Sequence, residues 1–365
     1  MARPGAPLLL LAAALGACAF YYLGAGRETF SSAPGPGPAP RRFHLLLMFT
    51  KAARSSALQA RGQAALRSLL RHARFAPGQV LHLHFVSEPR SREIAQGLLR
   101  PLLPGLPFQC QAFPQLCLPL RPQVIFHDVD MLTEQLFPVV EAMQKHFSAG
   151  SGSYYSDSIF FLSVAMHRIM PTEHSPREQW PGERETGVSQ IERIIQLDLD
   201  LKYKTNIREL FEEFDHFLQG AVIGIAREMQ PVYRHTFWQF RRENPQTKVG
   251  EPPPDGLPGF NSGVMLLNLE AMRHSQLYNQ LLEPDMVRQL TEKYHFKGHL
   301  GDQDFFTMIG MEHPELFHVL HCTWNRQLCS WWREHGYSDV FDQYFRCEGQ
   351  VRIYHGNCNT PIPED

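Results

Sequence analysis

Charge of one sign is what this sequence lacks: 35 Lys and Arg stand against 37 Asp and Glu, a formal net charge of −2. Such a chain has no basic field to gather phosphate backbones, so nucleic acid is not an expected partner. Neither G-x-G-x-x-G nor G-x-x-x-x-G-K-[ST] occurs, which excludes a dinucleotide fingerprint and a phosphate loop. The absence of C-x-x-C argues against a cysteine zinc site, and the absence of N-x-[ST] leaves no N-glycan acceptor. There is no internal repeat.

What is present suffices for one large domain or two ordinary ones: 365 residues, 43% hydrophobic and 11% aromatic. From Ala6 to Ala25 no charge interrupts "APLLLLAAALGACAFYYLGA", about the length of a membrane-spanning helix. Arg3 precedes it, Tyr21 and Tyr22 suit its far interface, and Arg27 and Glu28 cancel, which orients the body to the lumen. The expected layout is a cytoplasmic tail (1–5), a transmembrane signal anchor (6–25), a Pro/Gly-rich stem (26–42) and a lumenal domain (43–365). A cleaved signal peptide with small residues near Cys18 is the alternative. Both place the body in an oxidising compartment, where Cys110, Cys117, Cys322, Cys329, Cys347 and Cys358 can pair. Connectivity stays open, with short loops Cys322–Cys329 and Cys347–Cys358 as the sequence-near choice.

Apolar runs "FHLLLMF", "VLHLHFV" and "QVIFHDVDM" read as strands, alternating with helical patterns over "LTEQLFPVVEAMQKHF" and "SIFFLSVAMHRIM". His82 and His84 fit a half-covered sheet face. Residues 100–123, with six prolines, and 171–187, rich in charge, read as irregular connections. Steady alternation of strand and helix predicts an α/β fold with a mainly parallel central sheet flanked by helices, its ligands at the carboxyl ends of the strands.

One such end is "IERIIQLDLDLKYK". Asp198 and Asp200 lie two apart on a strand, so they point the same way and repel unless a divalent cation is shared between them. "VIFHDVDMLT" offers a rival pair, Asp128 and Asp130, which could serve a metal-dependent phosphohydrolase or merely begin a helix. Around the first pair the chain supplies "FNSGVMLLNLEAM", with Asn261 and Ser262, "GDQDFFTMIG", with Gln303 between Asp302 and Asp304, and "VRIYHGNCNTP", with His355.

The order of these four segments resembles the retaining glycosyltransferases of family 8. The likeness covers most of residues 190–358, and from about Gln123 onward the chain is most similar to the family's α-1,3-xylosyltransferases of the endoplasmic reticulum, through "MQPVYRHTFWQFRRENPQT" and "CTWNRQLCSWW". The resemblance implies a GT-A fold behind one N-terminal transmembrane helix, and Mn2+ held by Asp198, Asp200 and His355, with Mg2+ as the alternative ion. It implies UDP-xylose as donor, and as acceptor a xylose-glucose disaccharide on serine of the EGF-like repeats of proteins such as Notch. It places Gln303 in catalysis, Phe49, Thr50, Lys51, Asp157, Leu199, Asn261 and Ser262 on the donor, and Thr236, Phe237, Trp238, Gln239, Trp332 and Asn357 on the acceptor. It also implies a single-pass type II protein of the endoplasmic reticulum membrane. Asn359 departs from the family, many of whose members carry Lys there. A catalytically inactive lumenal binding protein is the remaining alternative.

Overall fold

Apolar runs with no polar stripe can rest only where both faces are covered, and here they form the centre of a sheet. The computed structural model describes residues 41–103, 122–148, 158–171 and 190–364. Its strands are β1 (Arg41–Met48), β2 (Gln79–Ser87), β3 (Gln123–Asp128), β4 (Arg193–Leu197), β5 (Leu201–Tyr203), β6 (Ile223–Arg227), β7 (Phe260–Asn268), β8 (Phe317–Leu320), β9 (Arg326–Gln327) and β10 (Ile353–His355). A seven-stranded sheet runs β3-β2-β1-β4-β7-β6-β8. Within it β7 alone opposes its neighbours, so the mainly parallel sheet expected from the alternation is present. β5, β10 and β9 form a second, small sheet.

The pleat divides the core in two. Leu45, Leu47, Leu83 and Phe85 face the helices Ser56–His72 and Pro89–Leu99, whereas Leu46, Val86 and Ile194 face the helices Phe137–Phe147 and Asp302–Glu312. Ser55 starts the first of these helices by accepting from Leu58 N at 3.1 Å. Leu66 and Leu69 then bury completely, each contributing about 2–3 kcal/mol.

Three expectations meet a different outcome, and the choice left open at Asp128 is decided for a helix start. Residues 158–169 are two 3-10 turns, Ser158–Phe161 and Ser163–Ala165, followed by a single helical turn, Met166–Ile169. Phe161 through Met166 are buried on every side, so packing rather than an amphipathic stripe sets their backbone. The disulfides join Cys322 to Cys347 and Cys329 to Cys358, not the sequence-near pairs. β9, extended between Cys322 and Cys329, holds those two apart, and the return of β10 alongside β9 brings Cys358 to Cys329. Asp128 caps the helix Val129–Gln135, accepting from the main-chain N–H groups of Asp130 and Met131 at 3.0 and 3.1 Å. A carboxylate engaged in this way is a helix start, and the phosphohydrolase reading falls with it. Finally, the β2 histidines are not half-covered: His44, His82, His84 and His127 share one sheet face and are all buried. Residues 6–25, Cys18, Cys110 and Cys117 lie outside the described residues, among which no helix is long and apolar enough to cross a membrane.

Burial pushes His44 down to about 3, and His82 and His127 down to about 4. Unfolded, each protonates near 6.5. Between these limits the unfolded chain binds more protons, so stability falls as pH falls. At pH 5 each neutral histidine has cost about 2 kcal/mol of stability. In metal-free buffer, Tm should therefore drop by roughly 10 °C between pH 7 and pH 5; a flat Tm over that range, read by circular dichroism, would contradict it.

Candidate metal and catalytic site

β4 is a fully paired strand between β1 and β7, and its pairing does not stop at Leu197: Asp198 N donates to Gly263 O at 2.9 Å. The chain then crosses into the small sheet as β5, whose Leu201 pairs with His355 of β10. Gly356 N donates to Asp200 O at 2.8 Å, so backbone pairing alone sets the imidazole against both carboxylates. His355 Nε2 lies 3.3 Å from Asp200 Oδ1 and 3.6 Å from Asp198 Oδ2. One donor atom from each of the three residues falls within 4.8 Å of the others.

The electrostatics are those of a site missing positive charge. Desolvation and the charge of the Asp200 carboxylate push Asp198 above the usual carboxylate range, although its side chain is still 48% exposed. Burial acts on Asp200 in the same direction, but the imidazole of His355 outweighs it and holds Asp200 low. Burial lowers His355, while the two carboxylates more than offset it and raise it. A divalent cation placed among the three relieves the repulsion that otherwise forces a proton onto the pair. Two carboxylates and one imidazole suit a hard to borderline ion, so the donor set fits a divalent metal.

The orientation of the imidazole is built from further polar groups. His355 Nδ1 donates to Asn325 Oδ1 at 3.0 Å, which leaves Nε2 facing the carboxylates, where a cation can replace its proton. Asn325 Nδ2 donates to Asn261 Oδ1 at 2.9 Å, Asn261 Nδ2 donates to Glu228 Oε2 at 3.0 Å, and Gln303 Nε2 donates to the same oxygen at 3.2 Å. Gln303 Oε1 in turn accepts from Ser262 N at 3.2 Å. A single chain of side chains thus runs from the metal ligand to the amide at the start of the helix Asp302–Glu312. Burial raises Glu228 to about 7, and its Oε1 is buried without a hydrogen-bond partner.

The structure brings Asp198, Asp200, His355, Gln303, Asn261 and Ser262 together. Asp304 is occupied, accepting from Tyr233 Oη at 2.9 Å and Leu300 N at 2.7 Å, and Asp302 accepts from Ser163 Oγ at 2.6 Å. Lys51 is exposed in a left-handed conformation, with Thr50 half-buried before it. Phe49, Leu199 and Phe237 have their side chains in the core. Phe237 packs on Tyr233, Tyr294 and Phe296.

Thr236, Gln239 and Trp332 are half-buried and Trp238 is exposed. Trp238 and Trp331 are 54% and 52% exposed, and Trp332 packs against His235 and Tyr337. Asn357 Oδ1 accepts from Leu328 N and Cys329 N, holding the segment that leads into Trp331 and Trp332. Asp157 lies outside the described residues. Sequence reading missed Glu228 and Asn325; a lone acid closing the apolar "AVIGIARE" was the one signal for the first, and the second had none.

Gly263 leaves no room for a side chain, since a Cβ there would stand 2.4 Å from Cε1 of His355. Gly263→Ala should displace the ring, and Asn325→Ala should free its tautomer. Each is expected to weaken divalent-metal binding roughly 10- to 100-fold, measured by titration calorimetry on variants with unchanged circular dichroism. Unaltered affinity in both would refute this account of the imidazole.

Comparison with known proteins agrees with this geometry. Residues 186–341 match the family described as "Glycosyl transferase family 8". The chain is 64% identical to human "Xyloside xylosyltransferase 1", with all of this chain and 97% of the relative covered. It is 65% identical to the mouse protein of the same name, over 98% of this chain and 93% of that one. The apo crystal structure of mouse xyloside xylosyltransferase 1 superposes with a TM-score of 0.77 at 70% identity, covering 88% of this chain and 100% of the other. Relatedness at this level over the whole of the chain, on an α/β GT-A-like fold, makes the chain a member of glycosyltransferase family 8.

Proposed function

We propose that this protein is a retaining xylosyltransferase that takes xylose from UDP-xylose, with Mn2+ as cofactor, and adds it in α-1,3 linkage to a xylose-glucose disaccharide on serine of EGF-like repeats of the Notch type. The observation that carries the reading is the convergence of Asp198, Asp200 and His355 beside Gln303, in a chain so similar to xyloside xylosyltransferases. Residues 6–25 anchor it as a single-pass type II protein of the endoplasmic reticulum membrane, with the catalytic domain in the lumen.

Asp198, Asp200 and His355 would hold the ion, which when bound supplies the positive charge that stabilises a departing diphosphate. Gln303, fixed at both ends of its amide by Ser262 N and Glu228, presents a preorganised dipole where the sugar becomes cationic. With Asp304 saturated by hydrogen bonds and Asp302 bound to Ser163, no carboxylate on this helix is disposed to attack the sugar. Retention then follows from a front-face route in which the leaving oxygen accepts the proton of the acceptor hydroxyl. The exposed Trp238 and Trp331, with Trp332, offer flat faces of the kind sugars and small protein modules stack on.

The decisive assay is mass spectrometry of an EGF-like repeat bearing xylose-glucose, incubated with a panel of sugar nucleotides and Mn2+. One added pentose from UDP-xylose alone is expected; no addition, or a hexose, would overturn the proposal. Asp200→Asn should lower transfer at least ~100-fold, on the order of 3 kcal/mol of transition-state stabilisation, at an unchanged Tm. Because the ligands must shed protons to bind the ion and Asp198 is raised, the Mn2+ concentration needed for half-maximal activity should climb as pH falls from neutral. A requirement for Mn2+ independent of pH would contradict the shared-proton picture.

A further inference from the structure

The sheet carries a second cluster of donor atoms, of different chemistry. His44 on β1 stands in register with His82 on β2, and His84 follows two residues later on the same face. Ring centroids lie 4.9 Å apart for His44 and His82, and 5.2 Å apart for His44 and His84. One ring nitrogen from each of the three falls within 4.8 Å of the others. The three residues are 8%, 6% and 1% exposed, all buried, with His84 the deepest.

We infer that His44, His82 and His84 form a second metal site, selective for a borderline divalent ion of the zinc class and not for Mn2+. Three neutral imidazoles with no carboxylate are the donor set that zinc accepts, with a fourth position left to water. The hydrogen bonding orients them for it. His84 Nδ1 lies 2.8 Å from Nε2 of His127 on β3. With the proton on that Nδ1, His84 Nε2 accepts a hydrogen bond from His44 Nδ1 at 2.9 Å, so an ion bound between them would take the place of the His44 Nδ1 proton, which shifts to that ring's Nε2 or is released to solvent. His127 then stands behind the ligand as a metal-bound histidine's outer partner does. A tetrahedral zinc with bonds of about 2.0–2.1 Å needs nitrogens roughly 3.3 Å apart, so closing the triad takes small ring movements on strands already locked in register.

Burial also keeps these imidazoles in their neutral, metal-binding form at ordinary pH. Arg42 works against a cation here, since its charge acts on both His44 and His82. Bound zinc would cross-link β1 to β2, the strands that carry the start of the domain, and would add stability without entering the transfer chemistry.

The test uses the full-length chain without a histidine tag, purified in detergent and stripped with chelator. In the Asp198→Asn/Asp200→Asn background, which disables the acidic site, zinc is counted by elemental analysis and Co2+ by its visible absorption. About one tightly bound ion per chain is expected, with a Tm raised by zinc and not by Mn2+. Adding His44→Gln and His82→Gln should abolish both the bound ion and the Tm rise. Should those substitutions unfold the protein, X-ray absorption of the zinc-loaded acidic-site variant decides instead: three imidazoles support the site, and an oxygen-dominated shell overturns it. Failure to retain zinc, or retention untouched by the histidine substitutions, equally overturns it, whatever the sugar assays return.

Discussion

The molecule depends on one electrostatic constraint: two carboxylates, two residues apart on the same side of an extended chain, cannot both stay charged beside a protein core without a cation. Asp198 and Asp200 are in that position because β4 is held by β1 and β7 and cannot twist either side chain away. His355 answers part of the charge, and its arrival on β10 is enforced by main-chain pairing with β5 and by the disulfide Cys329–Cys358 just beyond it. A divalent ion completes what the imidazole begins.

The same constraint reaches the chemistry through second-layer groups. Asn261 bonds to both Glu228 and Asn325, and the three connect His355 to Gln303, so the imidazole of the acidic cluster and the amide at the start of the helix are oriented by one network. Buried polar groups of this kind stabilise a fold only when each is satisfied. Here the unpartnered Oε1 of Glu228 is the exception, and it sits at the centre of the network that orients the site.

Much of this was legible beforehand because it rests on local rules. A run such as "IERIIQLDLDL" can only be a buried strand with a polar exit, and alternation of such runs with helical stretches dictates a parallel sheet. The motifs around Asn261, Gln303 and His355 stood out since small and polar residues interrupt long apolar runs there. By contrast, Phe237 in "YRHTFWQF" looked equivalent to Trp238, yet one is in the core and the other in solvent. Neighbouring aromatic residues on a short helix carry no local mark of which side will be covered.

The order of elements, the two acids, and the residue types able to hold a divalent ion are properties of the chain itself, since they follow from periodicity and valence. Disulfide partners, the tie of Asn325 to His355 and the gathering of histidines from three strands were decided only by folding. These pairings join residues tens of positions apart, whose approach is set by the packing of whole strands and helices and by nothing in their own neighbourhoods.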